Sequence, residues 1–332
     1  MSDDASGIVN RNVHEMPIAV IDFETTGLSP GFDRVVEASI VRVDPGGEPR
    51  LVFDTLINPR RPMGATEVHG ITDVDVQDAP TFREVVGDFV RALSGCVVAA
   101  YNVSFEIRFL QTEMRETGLI GRPPHVCLMY LRPMLDLGDR CTLDAACRAM
   151  GVAHGAVHAA ALDAQAAAGL LAVYLDTAKQ RGVTTFGDLA HLKQYDFVES
   201  FELPPLTTAF VDHCPPCGQF KSRTDRLTGA APAPGEDAAA DQPPRNPVAA
   251  YWDALATVLA DLKVTEAELA HLTRLKADLG LSDEQVRMMH ARAFMSAISQ
   301  FVGDGRIDDG ERQALQQLHG CLATLGWAPG QG

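Results

Sequence analysis

No stretch of the 332-residue sequence reaches the roughly 18 consecutive apolar residues that a membrane-spanning helix requires. The first sixteen residues (MSDDASGIVNRNVHEM) are polar and acidic, with no apolar core behind a basic start, so no secretory signal is expected. Cysteine is sparse and odd in number: seven residues, scattered except for one Cys-x-x-Cys pair, which excludes a disulfide scaffold. Together these absences predict a soluble cytoplasmic protein with reduced thiols. Positive charge is also short. Lys and Arg number 28 against 44 Asp and Glu, a net −16. Residues 1–180, 181–247 and 248–332 carry −9, −3 and −4 respectively, so no segment is basic. Tight non-specific binding to duplex DNA by phosphate neutralisation is therefore not expected. A nucleic acid would have to be held locally, through metal ions rather than a broad basic face. Hydrophobic residues make up 46%, enough to bury a core, which excludes a wholly disordered chain.

Four segments are expected: a flexible terminus over 1–16, an α/β domain over 17–180, a connecting segment with a Pro/Ala-rich linker over 181–247, and a helical domain over 248–332. In the α/β part, Pro17–Glu24, Arg34–Val43, Arg50–Ile57, Val97–Ala100 and Val126–Leu131 read as strands. Asp44-Pro45-Gly46-Gly47 marks a hairpin. Helices are expected over Thr81–Leu93, opened by a Thr81/Glu84 capping box, and over Ser104–Thr117, with Phe105, Phe109 and Leu110 inward. Ala-rich helices follow over Thr142–Met150 and Leu162–Gln180. Hairpin strands followed by alternating helices and strands predict a mixed sheet with helices on its faces. In the C-terminal part, Asp261–Leu269 aligns with Asp304–Arg312 at an offset of 43, suggesting two similar helical halves in a small bundle, with Thr265 and Asp308 as helix starts.

The chemistry is concentrated in Ile21-Asp22-Phe23-Glu24. Side chains alternate along a strand, so Asp22 and Glu24 share one face. Two carboxylates on an apolar strand repel and are costly to bury, a cost that hard cations with a preference for oxygen would relieve. The same pattern fits an edge strand with a solvated acidic face, and alternation alone leaves both readings open. Glu106, in the first turn of its helix, reads by itself as an ordinary solvated side chain. His158, with Asp163 five residues on, permits a metal-plus-base arrangement.

Taken together, IDFETTGL, the NVSFExRFL segment and HxxxxDA resemble, in order and spacing, the three motifs of the DEDDh 3′→5′ exonucleases. This group has a ribonuclease-H-like fold and includes the proofreading epsilon subunit of bacterial DNA polymerase III. Met63–Ile71 and Ala79–Phe82 resemble its spacer, and the resemblance spans about residues 17–178. It implies two Mg²⁺ or Mn²⁺ ions held by Asp22, Glu24, Glu106 and Asp163, with His158 as general base. Thr25, Leu28, His69, Asn102 and Phe105 would line a pocket for the 3′-terminal nucleotide. The implied activity is two-metal hydrolysis of single-stranded 3′ ends, DNA first and RNA also open, releasing nucleoside 5′-monophosphates. One position departs: Glu106 stands where the family has Asp, and one added methylene carries the carboxylate outward by roughly 1–1.5 Å. That departure sustains a second expectation, a non-catalytic binder of nucleic-acid ends or a scaffold with a degraded metal site.

Elsewhere, His213, Cys214 and Cys217 make at best half a zinc site, since no second Cys pair follows. Asp304–Glu311 lacks the Gly and the terminal Glu of a calcium loop. The C-terminal bundle loosely resembles a tellurite-resistance-B-like helical domain, which implies at most a contact with a protein partner or metal.

Overall fold

In the computed structural model, residues 7–28, 30–155, 158–223, 247–259, 264–301 and 309–330 are described. Most of the Pro/Ala-rich linker and the second repeat's start, with Asp308, lie outside them. The chain falls into two compact units. The first comprises residues 1–24, 35–63 and 71–242, and the second comprises 25–34, 64–70 and 243–332.

The first unit is built on a five-stranded sheet: β1 (Ile18–Thr25), β2 (Val35–Val43), β3 (Arg50–Leu56), β4 (Val97–Ala100) and β5 (His125–Cys127), in the order β3-β2-β1-β4-β5. β2 and β3 pair antiparallel, with Glu37 opposite Leu56. β4 runs parallel to β1, Ile18 opposite Val97, and to β5, Val98 opposite His125. This is the mixed, ribonuclease-H-like sheet expected, flanked by helices. The β2–β3 turn closes as its residues dictate: the Gly47 amide donates to the Asp44 carbonyl at 2.9 Å, and Gly46 takes a left-handed φ of 68°. The consequence that matters most for the site is that β1 lies at the centre of the sheet. Asp22 and Glu24 therefore do not lie on an edge strand.

Helices follow the apolar spacing. After the short α1 (Thr66–His69) and α2 (Asp73–Val76), α3 (Phe82–Leu93) buries Phe82, Val85, Val86, Phe89, Val90 and Leu93, and the Thr81 hydroxyl donates to Glu84 at 2.7 Å. In α4 (Val103–Glu116) the buried stripe runs through Val103, Glu106, Ile107, Leu110, Glu113 and Met114. Phe105 is only partly buried, packing against Phe109 with ring centroids 4.8 Å apart. One expected strand differs. β5 ends at Cys127 and the chain turns directly into α5 (Leu128–Met134). Leu128, Met129 and Leu131 are all buried, and a continuous apolar run does not distinguish a core helix from a core strand. α6 (Leu143–Met150), α7 (Ala160–Gln180) and α8 (Phe186–Leu192) complete the unit.

The expected flexible terminus differs as well. Within it, residues 7–16 pack onto the unit: Ile8 and Val13 are buried, the Ile8 amide donates to the Phe201 carbonyl, and Asn12 bridges to Thr185. Two buried apolar side chains and backbone hydrogen bonds, among them Val13 N–H to the Thr184 carbonyl, hold it there.

The second unit holds α9 (Pro247–Leu259), α10 (Glu266–Asp278), α11 (Asp283–Phe301) and α12 (Asp309–Thr324) around Tyr251, Trp252, Leu255, Leu272, Met289 and Leu322. Thr265 starts α10, accepting from the Glu268 amide at 3.2 Å. Residues 25–34 and 64–70 cluster with these helices instead of following the sequence boundary at 180. Leu28 and Val68 pack on their apolar core, and Arg292 pairs with Glu67. No helix among the described residues is long and apolar enough to cross a membrane.

His125 supplies a pH-dependent element. Its Nδ1 lies 2.9 Å from the Pro123 carbonyl, and burial, aided by Arg122, holds its pKa down at about 4 against an ordinary 6.5. Between those values the unfolded chain takes up a proton that the folded state refuses. Stability from this group is thus complete above about pH 6.5 and is lost as pH falls toward 4, an effect of about 3 kcal/mol. Urea unfolding of His125→Asn, which retains an N–H donor but does not titrate, should lack that slope.

Candidate active site

β1 projects Asp22 and Glu24 from the middle of the sheet. Glu106 enters from α4 because position 106 shares the helix's buried stripe with Ile107 and Val103. Asp163 enters from the first turn of α7, and His158 from the loop just before it. Glu24, Glu106 and Asp163 are all buried. One donor atom from each of Glu24, His158 and Asp163 lies within 4.8 Å of the others. Nδ1 of His158 is 3.7 Å from Oδ2 of Asp163.

The electrostatics place Asp22 at the focus. Its pKa is driven well above the ordinary value of 3.8, first by burial and then by the negative charges of Asp163, Glu106, Glu24 and Glu37. Burial likewise pushes Glu106 up to about 8, opposed by a backbone hydrogen bond and by Arg108. Oε2 of Glu106 is buried without a hydrogen-bond partner among the described residues. An acceptor oxygen left in that state and carboxylates too crowded to ionise together form an environment that a hard divalent cation relieves. The donor set, carboxylate oxygens with one imidazole, fits Mg²⁺ or Mn²⁺.

Several residues that sequence reasoning missed support these groups. Nε2 of His154 lies 2.6 Å from Oδ1 of Asp163, with Nδ1 3.6 Å from Asp144. Glu37, fully buried on β2, accepts from the Ala160 amide at 2.9 Å and pairs with Arg223. The only sequence signal for His154 was its place four residues before His158. Glu37 and Arg223 carried none, because their partners lie 65 to 186 positions away in the sequence.

Of the expected pocket residues, Asn102 precedes α4, its carbonyl accepting from the Phe105 amide at 2.9 Å. Thr25, Leu28 and His69 belong to the second unit, where His69 is buried with Nε2 3.2 Å from the Gly64 carbonyl. His213, Cys214 and Cys217 form no metal-ligating group among the described residues. The Cys214 carbonyl instead accepts from Arg91, and the Cys217 amide donates to Asp88.

Residues 19–171 match the exonuclease family model RNase T. A DNA polymerase III subunit epsilon-like protein of Rhodobacter capsulatus is 35% identical over 195 residues, 55% of this chain and 27% of that protein. The PolC-type DNA polymerase III of Bacillus subtilis is 32% identical over 190 residues, 56% and 13% of the two chains. The chain thus spans about a quarter or less of the length of these relatives. Among solved structures, Exonuclease X in complex with 5′ overhanging duplex DNA aligns with a TM-score of 0.40 and 24% identity, over 53% of this chain and 99% of that one. Exonuclease I of E. coli in complex with a dT13 oligonucleotide aligns with a TM-score of 0.41 and 18% identity, over 51% and 42%.

Proposed function

We propose that the protein is a metal-dependent 3′→5′ exonuclease that releases nucleoside 5′-monophosphates from single-stranded ends, DNA in the first instance. The observation that carries this reading is the buried carboxylate cluster centred on Asp22, with an imidazole alongside. Asp22, Glu24, Glu106 and Asp163 would hold the divalent ions. When bound, those ions would polarise the scissile phosphate and make an attacking water more acidic. His158 accepts the proton from that water at one of its ring nitrogens. Oδ2 of Asp163 lies 3.7 Å from Nδ1 of that imidazole. Thr25, Leu28, His69, Asn102 and Phe105 are proposed to seat the terminal nucleotide. An acidic surface favours a single frayed end over a duplex, since recognition would pass through the metals at one phosphate.

The test is direct: purified protein is incubated with a labelled single strand and Mn²⁺, and the products are resolved. Mononucleotides appearing from the 3′ end support the reading, and an intact strand overturns it. The competing reading, a non-catalytic end binder or scaffold, rests on Glu106. Glu106→Asp separates the two. If the site is built around the longer side chain, the variant loses about tenfold or more in kcat, as a misplacement of about 1 Å does. A gain would mean that the glutamate impairs the site.

A further inference from the structure

The segment after the exonuclease domain returns to the sheet. Phe220 packs edge-on against Phe53, ring centroids 5.4 Å apart. The Leu56 amide donates to the Lys221 carbonyl, and the Lys221 amide donates to Oγ1 of Thr55, both at 2.9 Å. Nζ of Lys221 reaches the Asp75 carbonyl at 2.7 Å, and Ser222 bonds Asp54. β3 is an edge strand, so these contacts pair backbone that would otherwise face solvent. The strap ends by directing Arg223 inward.

There the guanidinium makes a fork. Nε donates to Oε1 of Glu37 at 2.7 Å, and Nη2 donates to Oε2 at 2.8 Å. The same Nη2 donates to the carbonyl of His158 at 2.7 Å. Oε2 of Glu37 also accepts from the amide of Ala160. Residues 158 and 160 are thus tied, one by its C=O and the other by its N–H, to a single buried ion pair. Loops are ordinarily the least rigid part of a fold, and this one carries the imidazole. Only a planar, multi-donor cation can bind a carboxylate with two nitrogens while bonding a carbonyl with one of them.

We propose that Arg223, together with Glu37, is a positioning residue of the site: the strap over 219–223 clamps the backbone at His158 and Ala160 and so sets where the imidazole points. The exonuclease match ends at residue 171, so the clamp comes from chain outside the matched region. The inference rests on the nuclease reading for its kinetic consequence but not for its geometry.

The experiment compares wild type, Arg223→Lys and Arg223→Met in the full-length protein, by single-strand hydrolysis and by NMR of the His158 ring in metal-free protein. Arg223→Met should lower kcat about 10- to 100-fold with KM within threefold, and should shift or broaden the His158 signals. Arg223→Lys, which keeps the charge but not the fork, should fall between, and it serves as the test if the Met variant does not fold. A kcat within twofold of wild type, with His158 signals unmoved and only thermal stability reduced, would leave Arg223 a purely structural residue and overturn the proposal. A wild-type protein with no hydrolysis would overturn the nuclease reading instead, while the NMR comparison would still decide the clamp.

Discussion

Asp22→Asn should remove strand hydrolysis almost completely while making the metal-free protein more stable. Asp22 is the group on which four other carboxylates act, and both burial and those neighbours oppose its ionisation. The amide keeps the shape but removes the charge. Cation binding at the centre of the cluster is lost with it, and the expected fall is about 10³-fold or more, roughly 4 kcal/mol of barrier. Without metal, the same substitution relieves buried like-charge repulsion. A gain on the order of 1 kcal/mol, or about 2–4 °C in Tm, should follow. Opposite signs for activity and stability are the signature of a site whose charge serves a ligand and not the fold. A loss of both would indicate that Asp22 is structural. Near-wild-type hydrolysis would refute the assignment outright.

The second large effect is the dependence of metal stabilisation on pH. In the unfolded chain Glu106 ionises near its ordinary 4.5, whereas in the folded protein burial delays this to about 8, and Asp22 is delayed in the same direction. Between those values the native state holds protons that the unfolded chain has already released. The metal-free protein is therefore favoured by these groups near pH 4.5 and loses that stability as pH rises toward 8. Cations bind the ionised carboxylates, so the increase in Tm on adding Mn²⁺ should be small at pH 5.5 and largest near pH 8. At a hundredfold excess over Kd the corresponding stabilisation should reach about 2.7 kcal/mol. Taking the difference between Mn²⁺ and EDTA at each pH cancels the opposite slope expected from His125. A shift that does not change with pH, or one equally large in Asp22→Asn, would exclude binding at this cluster.

Much of this site could be read from the residues. The two-residue period of β1 put Asp22 and Glu24 on one face, and the turn signal at Asp44–Gly47 and the Thr81/Glu84 cap were local features that the fold kept. Such signals survive because they depend on neighbours within a few residues. What alternation did not decide was whether the acidic face was wet or buried. Strand order decided it, by placing β1 between β2 and β4. Glu106 taken alone carried no sign of burial for a related reason: a glutamate in a first turn is normally solvated, and only the helix stripe, once packed, turns it inward.

The sequence by itself determined the kinds of side chain available and their local spacing: carboxylates on a strand, an Asp in the first turn of an Ala-rich helix, a histidine five residues before it. Only the tertiary structure decided which of them share an environment. Crowding of charge depends on distances in space, and so does the reach of Arg223 to residues some sixty and more than a hundred and eighty positions away. The pKa shifts, the uncompensated oxygen of Glu106 and the clamp on the His158 loop all arise from burial, and burial is a property of the packed sheet and helices rather than of any one segment.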